Sequence, residues 1–185
     1  DRVFHEQSGG GLTCSGGEPL AQPEFLAALL AECRRREIHT AVDTCGYAPP
    51  EVLDAIAPLA DLFLYDVKVM DDTAHQAFTG ESNRLILANL ARLAEAGRPV
   101  IARIPLIPGF NDSDENIRQT AVFLAGLRTI RSVNLLPFHR AGSNKYPRLR
   151  REDPMNGAVA DSPQGRPEAC RRLLAEYGLE ARIGG

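Results

Sequence analysis

The sequence lacks the features that would tie it to a membrane or to nucleic acid. No apolar run approaches the ~20 residues of a membrane-spanning helix, and the N-terminus shows no signal-peptide pattern. Basic residues are not in excess, since 21 Lys and Arg oppose 24 Asp and Glu for a net charge of −3. Because no phosphate-neutralising face is predicted, we expect a cytoplasmic protein that binds neither membranes nor nucleic acid.

Cysteines with metal-binding spacing are also missing. Cys14, Cys33, Cys45 and Cys170 form no C-x-x-C pair, so no complete zinc or iron–sulfur site is predicted. Cys33 and Cys170 fall on apolar faces of predicted helices, where we expect them to be buried as small hydrophobic side chains.

The start of the chain lacks a helix start signal. Residues 1–6 are typical of the end of a helix, which the glycines at 9–11 terminate. We therefore expect that an N-terminal part of the domain is missing from these 185 residues.

What is present is an alternation of apolar strands and amphipathic helices, joined by short loops. This pattern predicts βαβ units and a parallel sheet in one α/β domain, long enough to bury roughly 70% of its unfolded surface. A capping box at Asp112 and Glu115 is predicted to start one helix. The strands are predicted at residues 12–14, 39–44, 62–68, 100–107 and 132–138, with a possible short sixth at 180–183, and the other helices at 23–37, from 50 onwards, 83–96 and 167–177.

The junction Thr13–Pro19 is the most unusual stretch. Gly16 and Gly17 leave the main-chain carbonyls uncovered, and Glu18 adds a carboxylate beside them. These oxygens suit a cation such as an ammonium group. A β-turn with a charged tip explains the same residues and stays open as an alternative.

Polar residues recur at or just past the predicted C-terminal strand ends, where α/β proteins build their active sites. Singly they have structural explanations: Asp43 could cap a turn, Lys68 could be solvated, and Arg103 could pair with Asp66. The long segment from His139 to residue 166 has no periodicity, which is typical of a functional or mobile loop. The strand-end residues are Glu18, Asp43, Asp66, Lys68, Arg103 and His139.

In this order the motifs resemble the radical SAM superfamily, and within it the glycyl-radical enzyme activating proteins, which include the pyruvate formate-lyase activating type. The resemblance runs along the whole chain. It rests on the segments at residues 8–19, 39–46, 61–68, 103–111 and 135–139.

The resemblance implies a site for S-adenosylmethionine. Gly16, Gly17 and Glu18 would hold its amino group, while Asp43 and Thr44 would help to bind a monovalent cation beside its carboxylate. The remaining implied contacts are Asp66 with the ribose hydroxyls, Lys68 with the carboxylate, His139 with the nucleoside end, Arg103 close to the ligand, and residues 107–109 with the adenine.

One family feature is absent. The family carries a C-x-x-x-C-x-x-C motif near its N-terminus, whose thiolates bind a [4Fe–4S] cluster, and this chain has no such motif. By resemblance we expect residues 1–185 to form a partial (β/α)6 TIM-like barrel with five main strands, truncated at its N-terminus so that the first strand and the cluster loop are absent. The cluster is expected only in the full-length protein.

The resemblance implies that the intact protein reductively cleaves S-adenosylmethionine and generates a glycyl radical on a partner such as pyruvate formate-lyase. Flavodoxin or ferredoxin would donate the electron. One alternative is a cluster-less, non-catalytic module that binds S-adenosylmethionine or a partner peptide weakly. Another is a metal-independent lyase or isomerase with Lys68 as Schiff-base former or His139 as base.

Overall fold

The computed structural model describes residues 10–138 and 163–184, which form an α/β domain around one sheet. The sheet has six strands in the order β1-β2-β3-β4-β5-β6, and every neighbouring pair is parallel. Because parallel neighbours require crossover connections, the helices lie between consecutive strands in the sequence. The strands are β1 (Gly11–Cys14), β2 (His39–Thr44), β3 (Leu62–Asp66), β4 (Val100–Leu106), β5 (Ser132–Pro137) and β6 (Glu180–Ile183).

Six α-helices fall within the described residues, along with a 3-10 turn at Pro19–Ala21. Five of them correspond to predicted helices. The sixth, between β3 and the next predicted helix, was not predicted. The helices are α1 (Pro23–Arg35), α2 (Pro50–Ile56), α3 (Asp72–Thr79), α4 (Arg84–Glu95), α5 (Asp114–Gly126) and α6 (Arg166–Glu176).

The predicted fold, a partial TIM-like barrel with a parallel sheet, is confirmed, and the possible sixth strand forms at Glu180–Ile183. The end of strand β3, which carries site residues, differs from the prediction. Strand β3 ends at Asp66 rather than at Lys68, although Val67 N still donates to Arg103 O of β4 at 2.8 Å. Lys68 therefore lies in the loop beyond the sheet.

The core packs against one face of the sheet. Strand β3 was expected to be buried on both faces, but only Phe63 and Tyr65 are fully buried, while Leu62, Leu64 and Asp66 on the other face are half-buried. The same alternation along β4 gives the sheet one apolar and one partly open face. The open face carries the polar residues of the site, because their charged groups keep access to water there.

The capping box predicted for α5 was wrong. Ser113 caps this helix, with its Oγ accepting from Asn116 N at 3.2 Å. Asp112 instead accepts from Gly109 N at 2.9 Å and closes the preceding turn, so its carboxylate is not used as a cap. Glu115 accepts from Gln119 Nε2 at 2.6 Å along the helix surface.

The two cysteines expected in the core are there, with 6% of Cys33 and 1% of Cys170 exposed. No helix in the described ranges is long and apolar enough to cross a membrane. The helix end predicted at residues 1–6, the role of His139 and the long loop as far as residue 162 lie outside the described residues.

Candidate functional site

The structure places most of the predicted site residues at one edge of the sheet. Glu18 follows β1, Asp43 lies near the end of β2, Asp66 ends β3 and Lys68 follows it. The prediction for Arg103 needs correction, because this residue lies in the middle of β4 in register with Asp66. Its long side chain, rather than its position along the strand, brings its charge to the site.

Glu18 is held in place by hydrogen bonds from both sides. Its Oε1 accepts from Leu20 N at 3.1 Å, which caps the 3-10 turn, and from Thr44 Oγ1 at 2.5 Å. Its Oε2 accepts from Cys45 N at 2.9 Å and from Cys45 Sγ at 3.1 Å. The carboxylate therefore joins the loop after β1 to the end of β2, in a fixed position.

Arg103 links three strands through two carboxylates. Its Nε and Nη2 donate to Asp66 Oδ1 at 2.9 and 2.8 Å. The guanidinium also donates to both oxygens of Asp43, with Nη1 at 3.1 Å from Oδ2. Ser15 Oγ donates to the same Asp43 Oδ2 at 3.1 Å. The pairing of Arg103 with Asp66, one of the structural alternatives above, is thus present, and it extends to Asp43 and Ser15.

Burial and charge act in opposite directions on this ion-pair network. Burial raises the pKa of Asp66, and the attraction of Arg103 only partly offsets it. Burial by itself would lower the pKa of Arg103, but Asp66 and Asp43 together raise it. The guanidinium is therefore a permanent positive charge at the centre of the site.

Lys68 offers a second positive charge to this edge. Its side chain is half-buried, and its ammonium forms no hydrogen bond or ion pair with any residue that the structure describes. Asp66 Oδ2 likewise accepts no hydrogen bond from them, because Arg103 uses only Oδ1. Among the described residues, the ammonium and this carboxylate oxygen have no hydrogen-bond partner, which suits a ligand that has both a carboxylate and hydroxyl groups.

Gly16 and Gly17 leave the loop after β1 open. Gly16 has φ +129, and a Cβ added at either glycine would have no atom within 4 Å among the described residues. Their carbonyls accept no hydrogen bond from those residues. Open carbonyls beside the Glu18 carboxylate are the acceptors that an ammonium group requires.

The monovalent-cation role of Asp43 and Thr44 stays a prediction. Asp43 is paired with Arg103, and the Thr44 hydroxyl donates to Glu18 while accepting from Gly46 N at 2.8 Å. Both side chains therefore already have protein partners at the position predicted for the cation. The guanidinium supplies a positive charge between Asp43 and Asp66.

No site for an iron–sulfur cluster is present in the described part of the chain. No group of three or more His, Cys, Asp or Glu side chains there could hold a metal ion. All four cysteines are free thiols, and three of them are buried. The described residues do not fit a [4Fe–4S] cluster.

Cys45 is expected to resist alkylation. Burial, aided by the hydrogen bond to Glu18, raises the pKa of its thiol from 9.0 to about 11. Near pH 8 this leaves roughly a hundredfold less of the reactive thiolate than an ordinary cysteine has. Iodoacetamide labelling followed by peptide mass spectrometry should show correspondingly slow modification of Cys45, and Glu18→Gln should accelerate it. Labelling at the rate of a free thiol would contradict the geometry at Glu18.

Sequence reasoning missed the polar residues that support the site. Ser15 and Cys45 lie within the segments that carry the family resemblance, but neither was predicted to have a role in the site. The buried residues Asn111 and Asn116 hold the loop that carries Lys68. The available signal was a polar residue on the buried side of α5, since Asn116 lies two turns before Leu124 on the same helix face.

The fold and this site together define the class of protein. The chain belongs to the radical SAM superfamily, whose family model matches residues 2–121. This confirms the resemblance found in the sequence. S-adenosylmethionine and a [4Fe–4S] cluster are the cofactors that membership of this family implies.

The particular proteins that the chain resembles are activating enzymes. It is 47% identical to the isethionate sulfite-lyase activating enzyme of Nitratidesulfovibrio vulgaris, over 95% of this chain and 55% of that protein. It is 42% identical to the trans-4-hydroxy-L-proline dehydratase activating enzyme of Clostridioides difficile, over 100% of this chain and 62% of that protein. The chain thus spans little more than half the length of these relatives.

Solved structures agree on the fold. A crystallised domain of pyruvate-formate lyase-activating enzyme from Bacteroides vulgatus superposes with a TM-score of 0.80 at 40% identity, covering 95% of this chain and 99% of that one. A radical SAM methyltransferase from Sphaerobacter thermophilus has a TM-score of 0.74, covering 98% of this chain and 53% of that one. The second likeness, at 22% identity, shows the fold alone.

Proposed function

We propose that this chain is the S-adenosylmethionine-binding part of a radical SAM activating enzyme that generates a glycyl radical on a partner enzyme. The observation that carries the proposal is the convergence of two groups at one sheet edge of a radical SAM chain: Glu18, which is hydrogen-bonded to the end of β2, and the ion-pair network of Asp43, Asp66 and Arg103. The names of its relatives support the activating role.

The proposal also concerns which enzyme is the partner that receives the glycyl radical. Relatives of similar identity are named for different partners, including isethionate sulfite-lyase, choline trimethylamine-lyase and trans-4-hydroxy-L-proline dehydratase. A structure of comparable identity belongs to a pyruvate-formate lyase-activating enzyme. We therefore propose a glycyl-radical enzyme as the class of partner, with pyruvate formate-lyase as one candidate. A cytoplasmic location and a flavodoxin or ferredoxin electron donor stay predictions.

In this proposal the chain's own groups bind S-adenosylmethionine at its polar ends. The carbonyls of Gly16 and Gly17 and the Glu18 carboxylate accept from the ligand's ammonium group. The Cys45 thiol is the weakest of the four donors to Glu18, so its position on Oε2 is the one that an ammonium can take. Lys68 pairs with the ligand carboxylate.

The other contacts would orient the nucleoside. Asp66 Oδ2 is open to the ribose hydroxyls, while Arg103 fixes the opposite oxygen of the same carboxylate. Residues 107–109 at the end of β4 would pack against the adenine, with Gly109 at φ +72. When bound, S-adenosylmethionine supplies a sulfonium carbon–sulfur bond whose reductive cleavage starts radical chemistry.

The described residues offer no cluster ligands, so we propose that the chemistry belongs to a longer protein that supplies the cysteine motif. The second candidate function follows from the same observation. Without three thiolates in one place, the 185-residue chain alone would act as a non-catalytic module with at most a weak ligand site.

Replacing Lys68 by methionine is expected to lower the affinity of the full-length protein for S-adenosylmethionine by roughly 10- to 100-fold. A charge-assisted hydrogen bond contributes about 1.5–3 kcal/mol. Isothermal titration under anaerobic conditions measures the change. Arg118→Met, which removes a half-exposed cation on α5, is the control and should bind normally. Equal affinities for the two variants would remove Lys68 from the site.

Activity is tested on the full-length protein reconstituted anaerobically with iron and sulfide. On reduction it should cleave S-adenosylmethionine and give a glycyl-radical signal in electron paramagnetic resonance when its partner enzyme is present. A colourless product that leaves S-adenosylmethionine intact would refute the activating role and favour the binding module.

A further inference from the structure

The loop that follows β3 is held by three buried asparagines, here called the asparagine clamp: Asn83, Asn111 and Asn116. Their exposed fractions are 3%, 0% and 8%. All three donate hydrogen bonds from Nδ2 to backbone carbonyls between Lys68 and Met70. A buried amide costs free energy unless it is hydrogen-bonded, so these carbonyls offset the cost of burying the three side chains.

Asn111 is the central member because it touches two strand ends at once. Its Nδ2 donates to Lys68 O at 2.9 Å and to Pro105 O at 2.6 Å. Its Oδ1 accepts from Ile107 N at 2.7 Å. One side chain thus joins the loop after β3 to the last residues of β4 and the start of the loop beyond it.

The other two asparagines extend this link. Asn116 Oδ1 accepts from Met70 N at 2.9 Å, and its Nδ2 donates to Asn111 O at 2.8 Å. Asn83 Nδ2 donates to Val69 O at 2.9 Å and Met70 O at 2.8 Å. The start of α4, at Asn83, and the first turn of α5, at Asn116, therefore both hold the loop, and Asn111 adds a third link.

The amide of Asn111 provides both the donor and the acceptor that the surrounding backbone groups require. It meets two carbonyls, which need a donor, and one backbone N–H, which needs an acceptor. Aspartate would place a carboxylate against two carbonyl oxygens. Alanine would take this partner away from Ile107 N and Pro105 O and leave Lys68 O with only the longer hydrogen bond from Asn116 Nδ2. The two linked segments are the two proposed to meet opposite ends of the ligand.

We propose that Asn111 is a positioning residue that sets the distance between Lys68 and residues 107–109. At this distance one S-adenosylmethionine can contact Lys68 with its carboxylate and residues 107–109 with its adenine. The inference rests on the proposed function. Asn111 touches neither end of the ligand, and it acts through the backbone of Lys68 and Ile107. Fixing both contacts before binding lowers the ordering cost of the complex.

The test is a double-mutant cycle on the anaerobically reconstituted full-length protein, with S-adenosylmethionine affinity as the readout. Asn111→Ala should weaken binding about tenfold. Combined with Lys68→Met, the loss should be clearly smaller than the product of the two single losses, because Asn111 acts partly through Lys68. Asn116→Ala, which leaves Asn111 in place, is the milder variant and should weaken binding less than Asn111→Ala.

The control is Thr40→Val at the opposite end of the sheet. Thr40 is buried, and its Oγ1 donates to Asp61 Oδ2 at 2.9 Å. This variant should lose stability but bind S-adenosylmethionine normally. Normal binding by both asparagine variants, or fully multiplicative losses in the cycle, would overturn the positioning role alone. A wild-type protein that does not bind S-adenosylmethionine would overturn the proposed function as well.

Discussion

Replacing Gly46 by alanine is expected to destabilise the domain by more than about 4 kcal/mol, a large share of the roughly 5–15 kcal/mol that keeps a typical protein folded. Gly46 has φ +71, a conformation that alanine adopts at a cost of about 1 to 2 kcal/mol. The larger part is steric. An added Cβ would lie 1.7 Å from Tyr65 Oη and 2.2 Å from its Cζ.

Tyr65 cannot move away to make room. Its side chain is fully buried, and its hydroxyl donates to Ile86 O at 2.7 Å. Gly46 is equally fixed, since its N–H donates to Thr44 Oγ1 at 2.8 Å and its carbonyl accepts from Asn89 Nδ2 at 2.8 Å. The clash therefore has to be relieved by shifting a strand, a helix or the loop between them.

The matched control is Gly80→Ala. Gly80 has a similar φ of +86, but no atom of the described residues lies within 4 Å of an added Cβ. This substitution should therefore cost only about 1 to 2 kcal/mol of backbone strain. Urea denaturation followed by circular dichroism measures both variants. Similar losses for the two would show that packing against Tyr65 does not constrain position 46.

Replacing Arg103 by leucine is expected to destabilise the chain by about 2 to 4 kcal/mol at pH 7. Removing one partner of a buried ion pair typically costs about 3–5 kcal/mol, because an unpaired charge stays behind. We expect slightly less here, since the side chains are 18% and 20% exposed and water can still reach them. Asp43 and Asp66 would then repel each other without a cation between them.

The effect should depend on pH in a defined direction. Burial already raises the pKa of Asp66 in the folded state, and losing Arg103 should raise it further. A carboxyl group whose folded pKa is raised favours the folded state below its unfolded pKa, and this stabilisation is lost as the pH rises through the folded pKa. The penalty for Arg103→Leu should therefore be largest at neutral pH and shrink towards pH 4.

Two further variants separate charge from packing. Arg103→Lys keeps the positive charge but cannot form the forked hydrogen bonds to both carboxylates, so an intermediate loss is expected. Adding Asp43→Asn and Asp66→Asn to Arg103→Leu removes all three charges and should recover part of the stability. If the triple variant were no more stable than Arg103→Leu, unpaired charge would not be the cause.

The elements predicted from the sequence are those whose own residues carry the signal. Strand β3 and helix α4 have continuous or periodic apolar residues, so both were found. Helix α3 was missed because His75 is its only buried residue. Its start and end depend on Asp71, which accepts from Ala74 N at 2.7 Å, and on Gly80 in the left-handed region. Those residues are equally typical of turns.

The same distinction, between features with a local sequence signal and features without one, applies to the site. The sequence alone determined the α/β class, the family and the set of polar residues after the strands, because parallel strands bring their C-terminal ends to one edge of the sheet. Only the tertiary structure decided how these residues are paired. Arg103 reaches Asp43 from the middle of a strand, and Asn111 joins the loop after β3 to the end of β4 through Lys68 and Pro105, which are 43 and 6 residues away from it in the chain. Such contacts depend on sheet register and helix packing, which local sequence patterns do not encode.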